Sequence, residues 1–219
     1  MGGHGATYLY QPINASEEAR ILRLEPGAFA EPLIGSLVVR KIGDEDDEDE
    51  DEDEEHPRAY DCVSYCWGPQ ENFTSFDCGG KALRVTAAVD EMLRYLREPI
   101  EPRYLWIDAI CINQADNQEK SQQVRIMGKV YLMACTVRVW LGPTTDEEMD
   151  AVFSLFDRGS ACRTEDLKRI PDILHFLRPL DPVIESFFSR SWFTRRWILQ
   201  EYLFTADIIE FHGTIFTNV

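Results

Sequence analysis

Most of the familiar chemical machinery is missing from this chain. It has no Gly-x-Gly-x-x-Gly, no Walker phosphate-binding sequence, no His-Glu-x-x-His and no Gly-x-Ser-x-Gly. Those absences exclude the dinucleotide fingerprint, the P-loop, the helix-borne zinc pair and the serine nucleophile elbow. Histidine is scarce: His4, His56, His175 and His212 stand beside no plausible nucleophile or ligand. The six cysteines form no Cys-x-x-Cys pair. Four of them lie inside apolar tracts, as reduced, buried thiols of the cytosol do, which argues against a zinc site or a disulfide framework. No apolar run reaches the ~18 residues of a membrane span. Met1–Tyr10 has no apolar stretch flanked by basic residues, so no secretory signal is visible and a cytoplasmic location is expected. Positive charge is also sparse, 22 Lys and Arg against 39 Asp and Glu. Without a basic stripe to neutralise phosphates, nucleic acid is not an expected partner.

What the chain does have begins with a tract of acid. Twelve consecutive acidic residues, Asp44–Glu55, account for most of the net charge of −17. The acidity is therefore local. Like charges at that density repel and bury nothing, so the tract is expected to be a disordered surface insert. The rest is globular in composition, 44% apolar and 11% aromatic over 219 residues. That is enough for one domain with a sizeable core.

Strand and helix signals alternate along the chain. Arg20–Leu24 and Ser36–Ile42 read as strands in a lead-in of residues 1–57. Within residues 58–219, Tyr60–Tyr65 reads as a buried strand running into the turn Trp67-Gly68-Pro69, and Ala82–Val85 as a short strand. Thr86 can cap a helix carrying Val89, Met92, Leu93 and Leu96, which Pro99 and Pro102 end. Leu105–Cys111 reads as a central strand. Asp116 and Glu119 have capping-box spacing ahead of a helix with a stripe of Val124, Met127, Tyr131 and Ala134. Val137–Leu141 is the next strand, and Met149, Val152, Phe153 and Phe156 mark another helix. Residues 159–182 read as irregular, Trp192–Phe204 as a helix and Asp207–Phe211 as a last strand. The alternation predicts an α/β fold with a largely parallel central sheet flanked by helices. Ligands in such sheets bind at the carboxyl ends of strands, here Ser64–Gly68, Asn113-Gln114 and Leu141-Gly142.

The residues able to carry chemistry are carboxylates and aromatics. Asp108 interrupts an apolar strand, and a buried carboxylate must be paired. It either fixes the neighbouring loops or lines a pocket. Asn113 and Gln114 either pin a turn through backbone hydrogen bonds or touch a ligand. Glu201 lies four residues after Trp197, on the same helical face. It either pairs with Arg195 or Arg196 or sits against the indole in a half-apolar pocket. Tyr65 reads as core, Trp67 as core or as a stacking surface for a flat ligand, and Gly68 as relief from backbone crowding. Cys111 sits in so apolar a tract that a Cys111–His212 dyad would have an inert thiol.

Several blocks in order resemble the HET domain, the heterokaryon-incompatibility module of filamentous fungi. They are Ser64-Tyr65-x-Trp67-Gly68, Leu105-Trp-Ile-Asp-Ala-Ile-Cys-Ile-Asn-Gln114, Trp140-Leu141-Gly142 and Trp192-Phe-x-Arg195-x-Trp197-x-x-Gln200-Glu201. Arg20–Leu24 followed by Pro26-Gly27 looks like the usual lead-in. The likeness spans roughly residues 58–215, and members often continue further, which implies a short member or part of a longer protein. It implies an effector of nonself recognition and regulated cell death. A remoter resemblance, of Tyr60–Tyr65 to the first strand of TIR domains and of Trp197–Glu201 to their catalytic helix, implies a flavodoxin-like fold. It also implies cleavage of NAD at the nicotinamide–ribose bond. On that reading Glu201 is the catalytic carboxylate. Tyr65, Trp67, Gly68, Asp108, Asn113, Gln114 and Trp197 surround the substrate, no cofactor is needed, and self-association or an activating protein partner switches the domain on. The alternative is a module that kills through partners without catalysis.

Overall fold

A computed structural model of the protein describes residues 6–43, 59–144, 182–194 and 209–212. The chain divides into two units, Met1–Trp140 with Trp197–Phe211 and Leu141–Arg196 with His212–Val219.

The first unit is built on a sheet. Its strands are β1 (Glu18–Leu24), β2 (Ile34–Lys41), β3 (Asp61–Tyr65), β4 (Phe73–Cys78), β5 (Lys81–Thr86), β6 (Arg103–Trp106), β7 (Thr136–Trp140) and β8 (Ile209–His212), in the order β5-β4-β2-β1-β6-β3-β7-β8. β3 runs parallel to both β6 and β7 and so forms a parallel centre. β1 is antiparallel to β2 and β6, β4 to β5, and β2 is parallel to β4, which makes the sheet mixed. The lead-in strands β1 and β2 are thus members of the same sheet as the motif-bearing β3 and β6.

Helix α1 (Ala87–Leu96) starts where Thr86 Oγ1 accepts from the Val89 amide, and it buries Val89, Met92, Leu93 and Leu96. These join Ile21, Leu22, Leu105, Trp106 and Cys62 in one core. Each fully buried aliphatic side chain contributes about 1.5–3 kcal/mol, so this helix face is a principal anchor of the sheet. Helix α3 (Asn117–Leu132) starts at Asp116, whose carboxylate accepts from the amides of Gln118 and Glu119.

Several expectations are corrected. The strand expected over Leu105–Cys111 ends at Trp106, and Asp108–Cys111 forms a single helical turn, α2. β6 meets β3 only at Asp61↔Leu105 and Cys62↔Trp106, and the chain leaves the ladder after Trp106 although β3 runs on to Tyr65. An apolar run alone does not distinguish a strand from a buried helical turn. Of the stripe expected on α3, Tyr131 is buried and Met127 and Ala134 pack partly buried against the core, but Val124 is exposed; Glu119, Gln123 and Val130 are buried as well. β4 went unpredicted because only Phe76 and Cys78 of its six residues face the core.

In the second unit, helix α4 (Pro182–Phe188) begins at Pro182, the last residue of the stretch expected to be irregular. Proline suits a first helical position, where its missing N–H is no loss. Phe187 packs on Leu141 and Phe193. Arg190 donates to the Leu141 carbonyl at 3.0 Å and to Thr144 Oγ1 at 3.2 Å. Ser191–Thr194 is a 3-10 turn. The rest of the helix expected over Trp192–Phe204, the helix around Val152 and the acidic tract lie outside the described residues.

Candidate functional site

The parallel strands β3 and β6 point the same way, and two of the motif tracts leave the sheet at their carboxyl ends, β6 at Trp106 and β3 three residues further on at Tyr65. After Tyr65 the chain runs through Cys66 and Trp67 to Gly68, whose φ of +61° is a conformation that glycine adopts without strain. After Trp106 it turns into α2, with Asp108 in the first position. The Trp67 indole Nε1–H donates to Asp108 Oδ2 at 2.8 Å. The Gln114 side-chain amide donates to the Asp108 backbone carbonyl at 2.8 Å. Trp67, Asp108 and Gln114, three of the predicted site residues, are therefore one hydrogen-bonded cluster, all half-buried.

The other predicted residues fall out differently. Asn113 Oδ1 accepts from the Ala115 amide at 3.2 Å, so this side chain pins its own turn. Tyr65 is in the core, 3% exposed. Gly68 is exposed at the turn. Trp197 and Glu201 lie outside the described residues.

Asp108 emerges as an anchor. A carboxylate bonded to an indole N–H at the end of an apolar strand holds that ring in one orientation, since charge-assisted hydrogen bonds are the stronger ones. The Cys111 thiol, on the same turn, is fully buried and pushed up to about 12 by that burial. It is protonated at neutral pH and cannot serve as a nucleophile. Among the described residues no group of three His, Cys, Asp or Glu is placed to hold a metal ion.

Sequence reasoning missed what holds this loop in place. Arg20, on β1, is 2% exposed and meets Glu119 in a two-pronged ion pair at 2.6 and 2.9 Å. Glu119 was expected to close a capping box. Its carboxylate instead accepts from Arg20 and from the Asn113 amide at 2.8 Å. The signal available in the sequence was an arginine inside an otherwise buried strand, which must find a partner.

At the opposite end of the parallel strands is a groove of about 510 Å³, lined by residues including Tyr60, Asp61, Glu98, Ile100, Arg103 and Cys135. None of the described site residues expected from the sequence lines it. Its carboxylates are partly matched internally, Asp61 by Arg138 at 2.6 Å and Glu98 by Arg103.

An α/β domain with an indole–carboxylate anchor at the end of its parallel strands is the class that the structure defines. The family model described as "Heterokaryon incompatibility protein (HET)" matches residues 60–201, and the chain belongs to that family. It is 36% identical over 193 residues to heterokaryon incompatibility protein 6, OR allele, of Neurospora crassa, an alignment that covers 70% of this chain and 28% of that protein. The chain thus spans little more than a quarter of the length of that curated relative. No solved structure matches the chain significantly. Among the described residues no helix is long and apolar enough to cross a membrane.

Proposed function

We propose that this chain acts as an effector module in fungal nonself recognition and the cell death that follows it. The observation that carries this reading is the family match over residues 60–201, together with the identity to a protein named for heterokaryon incompatibility. The proposed place of action is the cytoplasm. The proposed trigger is self-association or an activating protein partner, which keeps a lethal module silent when dilute.

The chemistry proposed for it is hydrolysis of NAD at the nicotinamide–ribose bond, with NAD as substrate and no cofactor. This rests on the resemblance of Trp197–Glu201 to the TIR catalytic helix. The reaction passes through an oxocarbenium-like state, which a carboxylate stabilises. Glu201 is the candidate for that role, with Trp67 and Trp197 as flat walls. The test is NAD consumption by the purified chain and by Glu201→Gln. Losing one preorganised electrostatic group costs about 10²–10³ in rate, so the variant should lose NAD cleavage and toxicity together while keeping its melting temperature.

The second reading, an interaction module that kills without catalysis, is favoured by one observation. The Asp108 carboxylate is already engaged by Trp67 and its backbone carbonyl by Gln114, as in a scaffold rather than an empty pocket. Toxicity that persists in Glu201→Gln, with cellular NAD unchanged, would select it.

A further inference from the structure

The lead-in segment grips the motif loop at several points. Tyr10 Oη donates to the Ile110 carbonyl at 2.8 Å. Arg20 Nη1 donates to the Cys111 carbonyl at 3.2 Å and to Glu119 Oε1 at 2.6 Å. Its Nη2 donates to the Gln11 carbonyl at 2.6 Å and to Glu119 Oε2 at 2.9 Å. The guanidinium also lies over the Tyr10 ring, 5.0 Å from its centre. Glu119 passes the grip on, since Oε1 accepts the Asn113 amide at 2.8 Å. Further along α3, buried Gln123 donates to the carbonyls of Ala15 and Glu18.

Stability alone is a poor reason for this arrangement. Arg20 and Glu119 are 2% and 8% exposed, and a buried ion pair can often be replaced by apolar side chains of similar volume without loss of stability. Apolar side chains cannot supply donors and acceptors to the backbone at Cys111 and Asn113. Those two points hold the start of the segment between α2 and α3, residues 112–116, which carries Gln114 and its bond to Asp108.

We infer that Arg20 and Glu119 are positioning residues for residues 111–116, and that the working unit of this chain begins near Tyr10, well before the family-matched segment 60–201. The functional half of this inference rests on the proposed reading of the chain as a cell-death effector in which Trp67, held by Asp108, walls the site.

The test uses the full chain in two variants. One is the double change Arg20→Met with Glu119→Leu. The other is Arg20→Lys, whose single ammonium cannot span Glu119 and the Cys111 and Gln11 carbonyls together. Hydrogen exchange is read at residues 112–116 and, for comparison, in α1, beside the urea midpoint and the killing of cells that express each form. With the midpoint near that of wild type, the double variant should exchange its 112–116 amides at least about tenfold faster, with α1 unchanged. Killing should fall by a similar factor, and Arg20→Lys should fall between wild type and the double variant in both readouts. Loop amides as protected as in wild type would overturn the inference. So would a loosened loop in a variant that kills at the wild-type level. Should the double variant not fold, Arg20→Lys decides by the same two readouts. A wild-type chain that kills without consuming NAD removes the proposed chemistry but leaves this inference standing. A wild-type chain that does not kill removes the functional half, and the exchange data still decide the positioning half.

Discussion

The bond between Trp67 and Asp108 offers the sharpest measurement. A hydrogen bond to a charged group contributes about 1.5–3 kcal/mol. Both partners are half-buried, which places this one in the lower part of that range, about 1.5–2 kcal/mol. Trp67→Phe keeps an aromatic ring but removes the N–H, and leaves the carboxylate without its indole donor. Asp108→Ala removes the acceptor and strands the indole N–H. In the double variant neither group is stranded, so its loss of stability should be smaller than the sum of the two single losses by about 1.5 kcal/mol. Urea unfolding followed by circular dichroism measures all four corners of the cycle. Additivity within about 0.5 kcal/mol would refute the bond as a working contact. A fifth protein, Asp108→Asn, separates anchor from reactant. Its amide oxygen can still accept from Trp67, so an anchoring role predicts a small stability loss and retained killing. A role that needs the negative charge predicts a stable protein that has lost killing.

Two more expectations follow from packing and burial. Gly35 sits where an added Cβ would lie 2.6 Å from the Arg23 carbonyl oxygen and 2.9 Å from the Phe76 ring. Gly35→Ala should therefore cost at least about 1–3 kcal/mol, read as a lower melting temperature, because the clash is with ladder backbone that cannot step aside. Burial pushes the Cys111 thiol up to about 12 and the Cys78 thiol up to about 11, whereas Cys135 is exposed. Iodoacetamide at pH 8 should label Cys135 in the native protein and reach Cys111 and Cys78 only after denaturation. Native labelling of Cys111 at the rate of Cys135 would show that the α2 turn opens.

The elements that were legible in the sequence are those whose signal is local. The Thr86 cap and the spacing of Val89, Met92, Leu93 and Leu96 define α1 by themselves, and the structure buries those four residues. The strands β1, β2, β3 and β7 were visible as apolar runs bounded by turns. α2 was not, because an apolar run reads alike as strand or buried turn: β3 runs on to Tyr65, yet the chain leaves it after Trp106 and Asp108–Cys111 coils instead. The inward face of α3 was legible in part: Tyr131 is buried and Met127 and Ala134 pack against the core, whereas Val124 is exposed and Glu119, expected to close a capping box, is buried because Arg20 pairs with it.

The same logic explains what could be foreseen of the candidate site. A carboxylate inside Leu105-Trp-Ile-Asp108 could be marked as requiring a donor, because the cost of leaving it unpaired is a property of the residue and its surroundings. The donor's identity could not be marked, because it is supplied by another tract. The register Cys62↔Trp106 lets β3 run three residues past the end of β6, to Tyr65, so the Trp67 indole meets Asp108 only after the chain has left both strands, through α2 on one side and beyond Tyr65 on the other. Two motifs 41 residues apart are thereby one physical feature, an indole held on a carboxylate. A change at either end should be felt at the other, while Arg20 and Glu119 set where their shared loop lies.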